Sequence, residues 1–382
     1  MDRKATGVAV GVELSEGRTG VDIRSLWHHW KPLIVPIAGL WALATVVSCT
    51  IVKPFDVGEY ATYAHAALRA PLLHRLPLEY PAPAVALFLV PLLLPLSYPW
   101  VFAVFCGVAM VLLVISYERS GVVEMDREAA LRLVVYLTAG SIIIVTGRYD
   151  IFAAAFGFWS VRAARQERWT AAWAWSSVGF VIKLFPAVFW PAFLIAEWRR
   201  LGRVPYRRLC WMVGSAAVVG GIPYLLNRGA TLNVLHYYVR RPTEIESIPA
   251  GLSVLIDPLR THWISSFHSV NVVNGAGSAV SGATEILAVA LCLWIWRAQL
   301  RDQLPFEAAC LASLSVVVLG GKVLSPQYLI WLMPLWALYP IRPQWLFACV
   351  LSSLVFPYIV SVQHFGYVAA YPLEMSSTLA FL

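Results

Sequence analysis

Charged side chains are scarce in this sequence. They make up 13% of the 382 residues, about half of their usual share in globular proteins. Apolar residues reach 59%, which is more hydrophobic surface than one soluble core could bury. The shortage of charge excludes an ordinary soluble domain, and the composition predicts an all-α polytopic integral membrane protein.

Paired cysteines and acidic metal motifs are absent as well. The six cysteines form no C-x-x-C pair and have no histidine spacing that suits zinc. No D-x-D occurs anywhere in the chain. The sequence therefore predicts packing cysteines and no resident metal.

The net charge of +8 comes largely from arginines that cluster between apolar runs. The two main clusters are Arg162, Arg165 and Arg168, and Arg199, Arg200, Arg203, Arg207 and Arg208. Clustered arginines between membrane helices mark cytoplasmic loops under the positive-inside rule. We interpret the excess charge as a topology signal and expect no nucleic-acid partner.

Apolar runs long enough to cross about 30 Å of hydrocarbon recur along the chain. They cover 33–52, 100–116, 131–146, 209–226, 283–296 and 345–362. Shorter or proline-broken runs cover 82–97, 151–161, 171–196, 308–319 and 326–340. We predict a cytoplasmic segment over 1–32 and one domain over 33–382, with about ten or more transmembrane helices and outer loops at 52–81 and 227–282.

We expect two broken helix pairs, one over 171–196 and one over 308–340. Run 171–196 lies between the two arginine clusters and must cross an even number of times, yet each arm could span only about 20 Å. Proline at Lys183-Leu184-Phe185-Pro186 breaks run 171–196. The second pair, over 308–340, is interrupted by Gly320-Gly321-Lys322-Val323-Leu324-Ser325-Pro326-Gln327-Tyr328. A lysine at membrane depth is functional by default, the alternative being a snorkelling or structurally paired side chain. We expect both breaks to meet at one outward cavity.

Acids are concentrated in the predicted outer segments. Asp56, one of seven aspartates, follows the first apolar run and is either a general base or an exposed loop acid. Asp150 precedes run 151–161, so a helix N-cap is its alternative role. In loop 227–282, Arg240 and Arg241 suggest an amphipathic interfacial segment, and the polar stretch 271–278 is expected to be flexible.

Five short motifs occur in a characteristic order. They are Phe55-Asp56 with Tyr60, Glu79-Tyr80-Pro81-x-Pro83, Gly147-Arg148-Tyr149-Asp150, Lys183-x-x-Pro186, and Leu324-Ser325-Pro326-Gln327-Tyr328-Leu329-x-Trp331. Over about 33–362 the set resembles the polyprenyl-phosphate-sugar-dependent glycosyltransferases of the GT-C fold, and within them the GT87-like actinobacterial α-mannosyltransferases.

The resemblance implies transfer of a hexose, with mannose favoured, from a polyprenyl-phosphate donor to a cell-envelope glycan or glycolipid. It implies a multi-pass protein of the cell membrane with an extracytoplasmic active site, and it maps the family's catalytic base onto Asp56. Some members carry a histidine pair where this chain has Gln327-Tyr328. That difference leaves the sugar and the acceptor open.

The chemistry of such a transfer suggests roles for the remaining polar residues. Cations stabilise the charge that accumulates on a leaving phosphate, and the candidates are Arg148, Lys183 and Lys322, ahead of Arg240 and Arg241. Candidates for contact with sugar or acceptor are Glu59, Tyr60, Glu79, Tyr80, Asp150, Gln327 and Tyr328. Each tyrosine has the alternative of an ordinary interfacial belt residue.

A single base without a second nucleophilic carboxylate predicts one displacement with inversion at the anomeric carbon. No cofactor is expected, although a hydrated Mg²⁺ on the donor phosphate stays open. The competing hypothesis is a transporter or flippase of a lipid-linked sugar, since broken helices also line substrate pathways. A third is a non-catalytic scaffold in envelope assembly.

Overall fold

The computed structural model of the chain describes residues 23–52, 55–69, 77, 79–117 and 123–353, and most of these residues are helical. The first helices are α1 (Ile23–Val47), α2 (Phe55–Arg69), α3 (Val85–Leu89), α4 (Tyr98–Ile115), α5 (Val123–Gly140), α6 (Ile142–Thr146), α7 (Asp150–Arg165), α8 (Trp169–Ile182) and α9 (Trp190–Leu201). The later ones are α10 (Leu209–Ala216), α11 (Ile222–Leu226), α12 (Arg228–Arg240), α13 (Ile248–Ile256), α14 (Gly277–Leu300), α15 (Phe306–Gly320), α16 (Leu329–Trp336) and α17 (Pro343–Ser353).

Three helical segments are long and apolar enough to cross a membrane. They are Tyr98–Ile115, Tyr206–Leu226 and Gly277–Leu300, and they coincide with three of the predicted runs. Val35–Ile51 and Asp56–Arg69 add a fourth only if this pair, bent by 78°, is taken as one span. Within the described ranges, no other helix is both long and apolar enough to span by itself, so the prediction of ten or more spans is not confirmed.

A small antiparallel sheet corrects the all-α prediction. Its strands β1 (Thr243–Glu244), β2 (His262–Ser266) and β3 (Ser269–Val273) pair in the order β1-β3-β2. The stretch 271–278, which the sequence predicts to be flexible, begins in strand β3 and ends in helix α14, which starts at Gly277. The Asn271 side chain is fully buried and donates from Nδ2 to the backbone oxygen of Ser266 at 2.6 Å. A buried amide with such partners fixes the strand rather than loosening it.

The first predicted outer loop, 52–81, contains helix α2. Asp56 lies in its first turn, where a carboxylate interacts favourably with the helix dipole. Val57, Tyr60 and Ala64 follow at helical spacing and are buried. This apolar stripe anchors α2 on the core, and it places Asp56 and Glu59 one turn apart on neighbouring positions of the helix.

The break predicted at Lys183 is confirmed. Helix α8 ends at Ile182, Lys183 is extended (φ −153°, ψ 128°), and a 3₁₀ turn over Phe185–Phe189 leads into α9. Pro186 explains the break, because it lacks the N–H that would continue the helix. The second break is likewise present, since α15 ends at Gly320 and the 3₁₀ turn Pro326–Tyr328 precedes α16.

Helices α7 and α8 pack side by side, and the first break directly follows α8. Helix α7 also contacts α4 and α16, and its core face is built of small residues such as Ala154 and Gly157. A Cβ atom at Gly157 would lie 3.3 Å from the rings of Phe185 and Phe189, which is closer than ordinary packing allows. Glycine therefore lets the first broken turn press against α7.

Candidate active site

Asp56 and Arg148 form an ion pair between α2 and the turn that precedes α7. Arg148 Nη1 donates to Asp56 Oδ1, and both side chains are largely buried, at 12% and 17% exposed for Arg148 and Asp56. Asp56 therefore does not point into bulk solvent, and the exposed-loop alternative for it is wrong. The arginine is held in the turn because Cys106 Sγ on α4 donates to its backbone oxygen at 3.7 Å.

A second ion pair joins the start of α7 to the first broken turn. Lys183 Nζ donates to Asp150 Oδ1 at 2.7 Å, and Trp331 Nε1 on α16 donates to the same oxygen at 2.7 Å. The Asp150 side chain is only 1% exposed. The N-cap alternative for Asp150 is wrong, because α7 has Tyr149 as its N-cap and no side-chain capping bond.

Four aromatic rings surround the Lys183 ammonium. The distances from Nζ to the ring centroids are 4.7 Å for Tyr149, 5.3 Å for Trp331, 5.7 Å for Tyr328 and 5.9 Å for Tyr80. All lie within the range of cation–π attraction. The lysine is therefore held by one carboxylate and an aromatic cage, which keeps its charge in place away from bulk water.

The rings of Tyr60, Tyr80 and Tyr149 form one wall with Phe88. Tyr60 stacks on Phe88 with centroids 4.5 Å apart, and Tyr149 meets Tyr60 and Tyr80 edge to face at 5.6 and 5.2 Å. Tyr60 and Tyr149 are fully buried. Because their rings pack into the core, these tyrosines shape the site from behind rather than presenting an open face.

Aromatic stacking joins the two helix breaks. Phe185 of the first break stacks on Trp331 with centroids 4.4 Å apart, and Tyr328 of the second break stacks on Trp331 at 4.1 Å. Gln327 is buried and accepts from Ser325 Oγ at 2.5 Å. The sequence prediction that the two breaks meet is confirmed by these contacts, while Gln327 serves the local turn.

Lys322 has a different environment from Lys183. Its Nζ donates to the backbone oxygen of Val239 on α12 at 3.2 Å, and its own backbone oxygen accepts from Glu244 N at 2.9 Å. Lys322 thus ties the second break to the α12–β1 segment. Within the described residues, the hydrogen bonds of Lys322 lead to α12 and β1 and not to Asp56 or Asp150.

Arg241, a less favoured candidate for the donor phosphate, forms a third ion pair, with Glu244. Its Nη2 lies 3.2 Å from Glu244 Oε1 and 3.2 Å from Ser269 Oγ. Burial raises the pKa of Glu244 to about 8, helped by the nearby charge of Glu246 and opposed by Arg241. Burial likewise raises the pKa of Glu246 to about 7. Both acids therefore hold their protons to a higher pH than exposed glutamates do.

Glu59 and Glu79 lie together at the rim next to Asp56. The Nδ1 atom of His268, in the β2–β3 turn, is 2.7 Å from Glu59 Oε1 and 2.9 Å from Glu79 Oε1. Sequence reasoning selected both acids but missed His268. The three residues come from distant segments, and a histidine in a predicted loop gives no signal of the pairing.

A cavity of about 800 Å³ lies elsewhere, at the opposite end of α8 and α9. It is lined by residues of the two arginine clusters. Two of these arginines are in ion pairs, since Arg208 Nε lies 2.9 Å from Glu197 Oε1 and Arg200 Nη2 lies 2.8 Å from Glu167 Oε2. Helix α8 separates it from Lys183 by roughly 20 Å. The group formed by Asp56, Arg148, Asp150 and Lys183 combines a candidate base with cations and aromatic rings. It is therefore the better candidate for the active site.

The chain is mostly helical, has helices long enough to cross a membrane, and buries a group of acids, cations and aromatic rings. These features define a membrane-associated protein with an enzyme-like site. The sequence model of glycosyltransferase family 87 matches residues 78–326, more than half of the 382 residues, and the chain belongs to that family. The resemblance to GT87-like glycosyltransferases is thereby confirmed. No curated protein and no solved structure matches the chain.

Family membership supports glycosyltransferase activity, and with it a sugar donor and an acceptor as substrates. The matched segment contains Arg148, Asp150, Lys183 and Lys322, whereas Asp56 precedes it. The family match assigns no role to any of these side chains.

Proposed function

We propose that the protein transfers a hexose, with mannose as the favoured sugar, from a polyprenyl-phosphate donor to a cell-envelope glycan or glycolipid. The reaction takes place on the extracytoplasmic side of the cell membrane in a multi-pass protein, and Asp56 is the general base. The observation that carries this proposal is the Asp56–Arg148 pair beside the caged Lys183.

Exposure distinguishes the two aspartates of the site. A general base must reach the acceptor hydroxyl within hydrogen-bond distance. Asp150 is almost inaccessible, and its Oδ1 already accepts from Lys183 and Trp331. Asp56 keeps part of its carboxylate accessible at 17% exposure, so it is the base, and Asp150 positions Lys183.

The arginine partner of Asp56 suggests how donor binding prepares the base. Arg148 donates to the Asp56 carboxylate and so occupies the oxygen that would take the proton. A donor phosphate offers Arg148 a stronger bidentate partner. Arg148 then turns to the phosphate, and Asp56 is released to accept the proton of the acceptor hydroxyl.

The leaving phosphate accumulates negative charge as the glycosidic bond breaks. A fixed cation in a partly dry site stabilises that charge far better than the same cation in water. Lys183 is fixed by Asp150 and by its aromatic cage. Arg148 and Lys183 are therefore the donor-phosphate cations, and Lys322 contributes by holding the second break in place.

One base and one displacement give inversion at the anomeric carbon. The acceptor oxygen forms its bond to the anomeric carbon as the bond to the phosphate oxygen breaks, and the proton passes to Asp56. By analogy with inverting glycosidases, a β-linked lipid donor yields an α-linked product. The phosphate monoester of the polyprenol leaves.

Helix direction supports the extracytoplasmic placement. Asp150 lies at the start of α7, and Arg162 and Arg165 lie in its last turn, about 20 Å away along the helix. The arginine ends are cytoplasmic under the positive-inside rule, so the Asp150 end is directed outward. A lipid-linked donor suits that side, since nucleotide sugars are cytoplasmic.

Family membership favours the transferase over the transporter and scaffold alternatives. The deciding experiment uses purified full-length protein with polyprenyl-phosphate-mannose, the corresponding nucleotide sugar, and candidate glycolipid acceptors. We expect product from the lipid donor alone, with an α linkage detected by NMR. Product from the nucleotide sugar, or a retained β linkage, would contradict the donor class or the single displacement. Movement of the lipid donor across vesicles without product would favour the flippase.

A further inference from the structure

The Glu59–Glu79–His268 cluster has the geometry of a cation site. His268 Nδ1 lies 2.7 Å from one carboxylate oxygen and 2.9 Å from the other, and the three donor atoms all lie within 4.8 Å of one another. Donor atoms about 2.1 Å from an octahedral ion lie about 3 Å apart. The observed separations therefore match the edge of a coordination polyhedron.

The three donors reach this point from three separate parts of the chain. Glu59 is on α2, Glu79 follows it towards α3, and His268 is in the turn between β2 and β3. The carboxylates are 14% and 11% exposed, whereas the imidazole is 52% exposed. An ion entering from the histidine side would meet two nearly buried oxygens and keep water on its open face.

The hairpin turn holds the imidazole in an unusual backbone conformation. Phe267 and His268 have φ of 56° and 55°, a left-handed conformation that hairpin turns normally fill with asparagine, aspartate or glycine. Side chains persist in such conformations when the surroundings hold them there. Here the contacts of His268 with both carboxylates supply that constraint.

Outer contacts orient Glu79 towards the same point. Tyr237 Oη donates to Glu79 Oε1 at 3.0 Å, and Tyr238 Oη donates to its backbone oxygen at 2.7 Å. Metal-binding carboxylates are typically oriented by such hydrogen bonds. The two tyrosines lie at the end of α12, so the site would connect α2, α12 and the small sheet.

We propose that Glu59, Glu79 and His268 bind one divalent transition-metal cation. Two carboxylates and one imidazole suit Mn²⁺ or Zn²⁺ better than Mg²⁺, which rarely takes nitrogen ligands. The ion replaces the proton on His268 Nδ1, and its charge balances the two carboxylates. Because Glu59 is one turn from Asp56, the ion also fixes the helix that carries the proposed base.

The test measures binding directly, without donor or acceptor, so its outcome is independent of the proposed transferase function. Purified full-length protein is stripped with EDTA and titrated with Mn²⁺, and the EPR signal of the hydrated free ion gives bound metal. We expect one site per chain. Glu59→Gln, Glu79→Gln and His268→Asn should each weaken binding at least about tenfold.

His236→Asn is the matched control, because it removes an exposed histidine of α12 outside the cluster. It should leave the affinity unchanged. Tyr237→Phe keeps all three donors and should weaken binding less than the ligand variants do. Mn²⁺ should also raise the thermal unfolding temperature of the wild type but not of the ligand variants. The proposal is overturned if the wild type does not bind one Mn²⁺ per chain, or if the ligand variants bind it equally well. The cluster would then be a pair of carboxylates bridged by a histidine.

Discussion

Replacing Lys183 by methionine would leave the Asp150 carboxylate buried without its ion-pair partner. Asp150 is 1% exposed, so water cannot take over the solvation that Lys183 Nζ provides at 2.7 Å. Breaking a buried pair from one side costs about 3–5 kcal/mol. Since Trp331 Nε1 still donates to the same oxygen, we expect a loss near the lower limit, about 3 kcal/mol.

The assay is unfolding of the purified protein in detergent, followed by the fluorescence of its tryptophans. Lys322→Met is the matched control, because Lys322 bonds to a backbone oxygen rather than to a carboxylate, and it should cost about 1 kcal/mol. Lys183→Met combined with Asp150→Asn removes the stranded charge and should recover at least about 2 kcal/mol. Equal losses for the two lysine variants, or no recovery in the double variant, would refute the buried-pair reasoning.

Three further predictions concern other parts of the site. Arg148→Gln should raise KM for the lipid donor at least about tenfold with smaller effects on acceptor KM, because a bidentate phosphate contact is lost; equal changes in both KM values would contradict this role. Burial raises the pKa values of Glu244 and Glu246 above the ordinary 4.5, so their ionisation opposes folding, and the unfolding temperature should fall as pH rises from about 5 and level off above about 8; Glu246→Gln should flatten that profile, and an unchanged profile would contradict the raised pKa values. Trp331→Phe keeps a ring for stacking but removes the hydrogen bond to Asp150, and it should lower stability by about 1–2 kcal/mol; a neutral effect by the same fluorescence assay would argue against that bond.

Several residues of the candidate site could be predicted because they lie next to breaks or ends of apolar runs, which are visible in the sequence. Lys183 and Lys322 each adjoin a glycine or proline break in an apolar run, and Asp56 follows the first such run. Scarce charges next to breaks in hydrophobic sequence indicate functional positions. The pairing of Arg148 with Asp56, 92 positions apart in the chain, required the fold.

The rest could not be predicted because it depends on long-range packing. Strand β1 has two residues and β2 and β3 have five each, so their alternation is too short to be distinguished from a loop. The position of His268 follows from the hairpin register rather than from its neighbours in sequence. Helix α2 was missed since its buried stripe of Val57, Tyr60 and Ala64 is interrupted by polar residues.

The central claim is that Asp56 takes the proton from the acceptor hydroxyl. The most direct test is the single-turnover rate of Asp56→Asn with saturating lipid donor and acceptor, beside Asp257→Asn, which removes a carboxylate bonded to Gly275 outside the cluster. We predict that Asp56→Asn lowers the rate about 10²–10⁴-fold with donor binding retained, whereas Asp257→Asn changes it little. An Asp56→Asn rate within about twofold of the wild type would contradict the proposed mechanism.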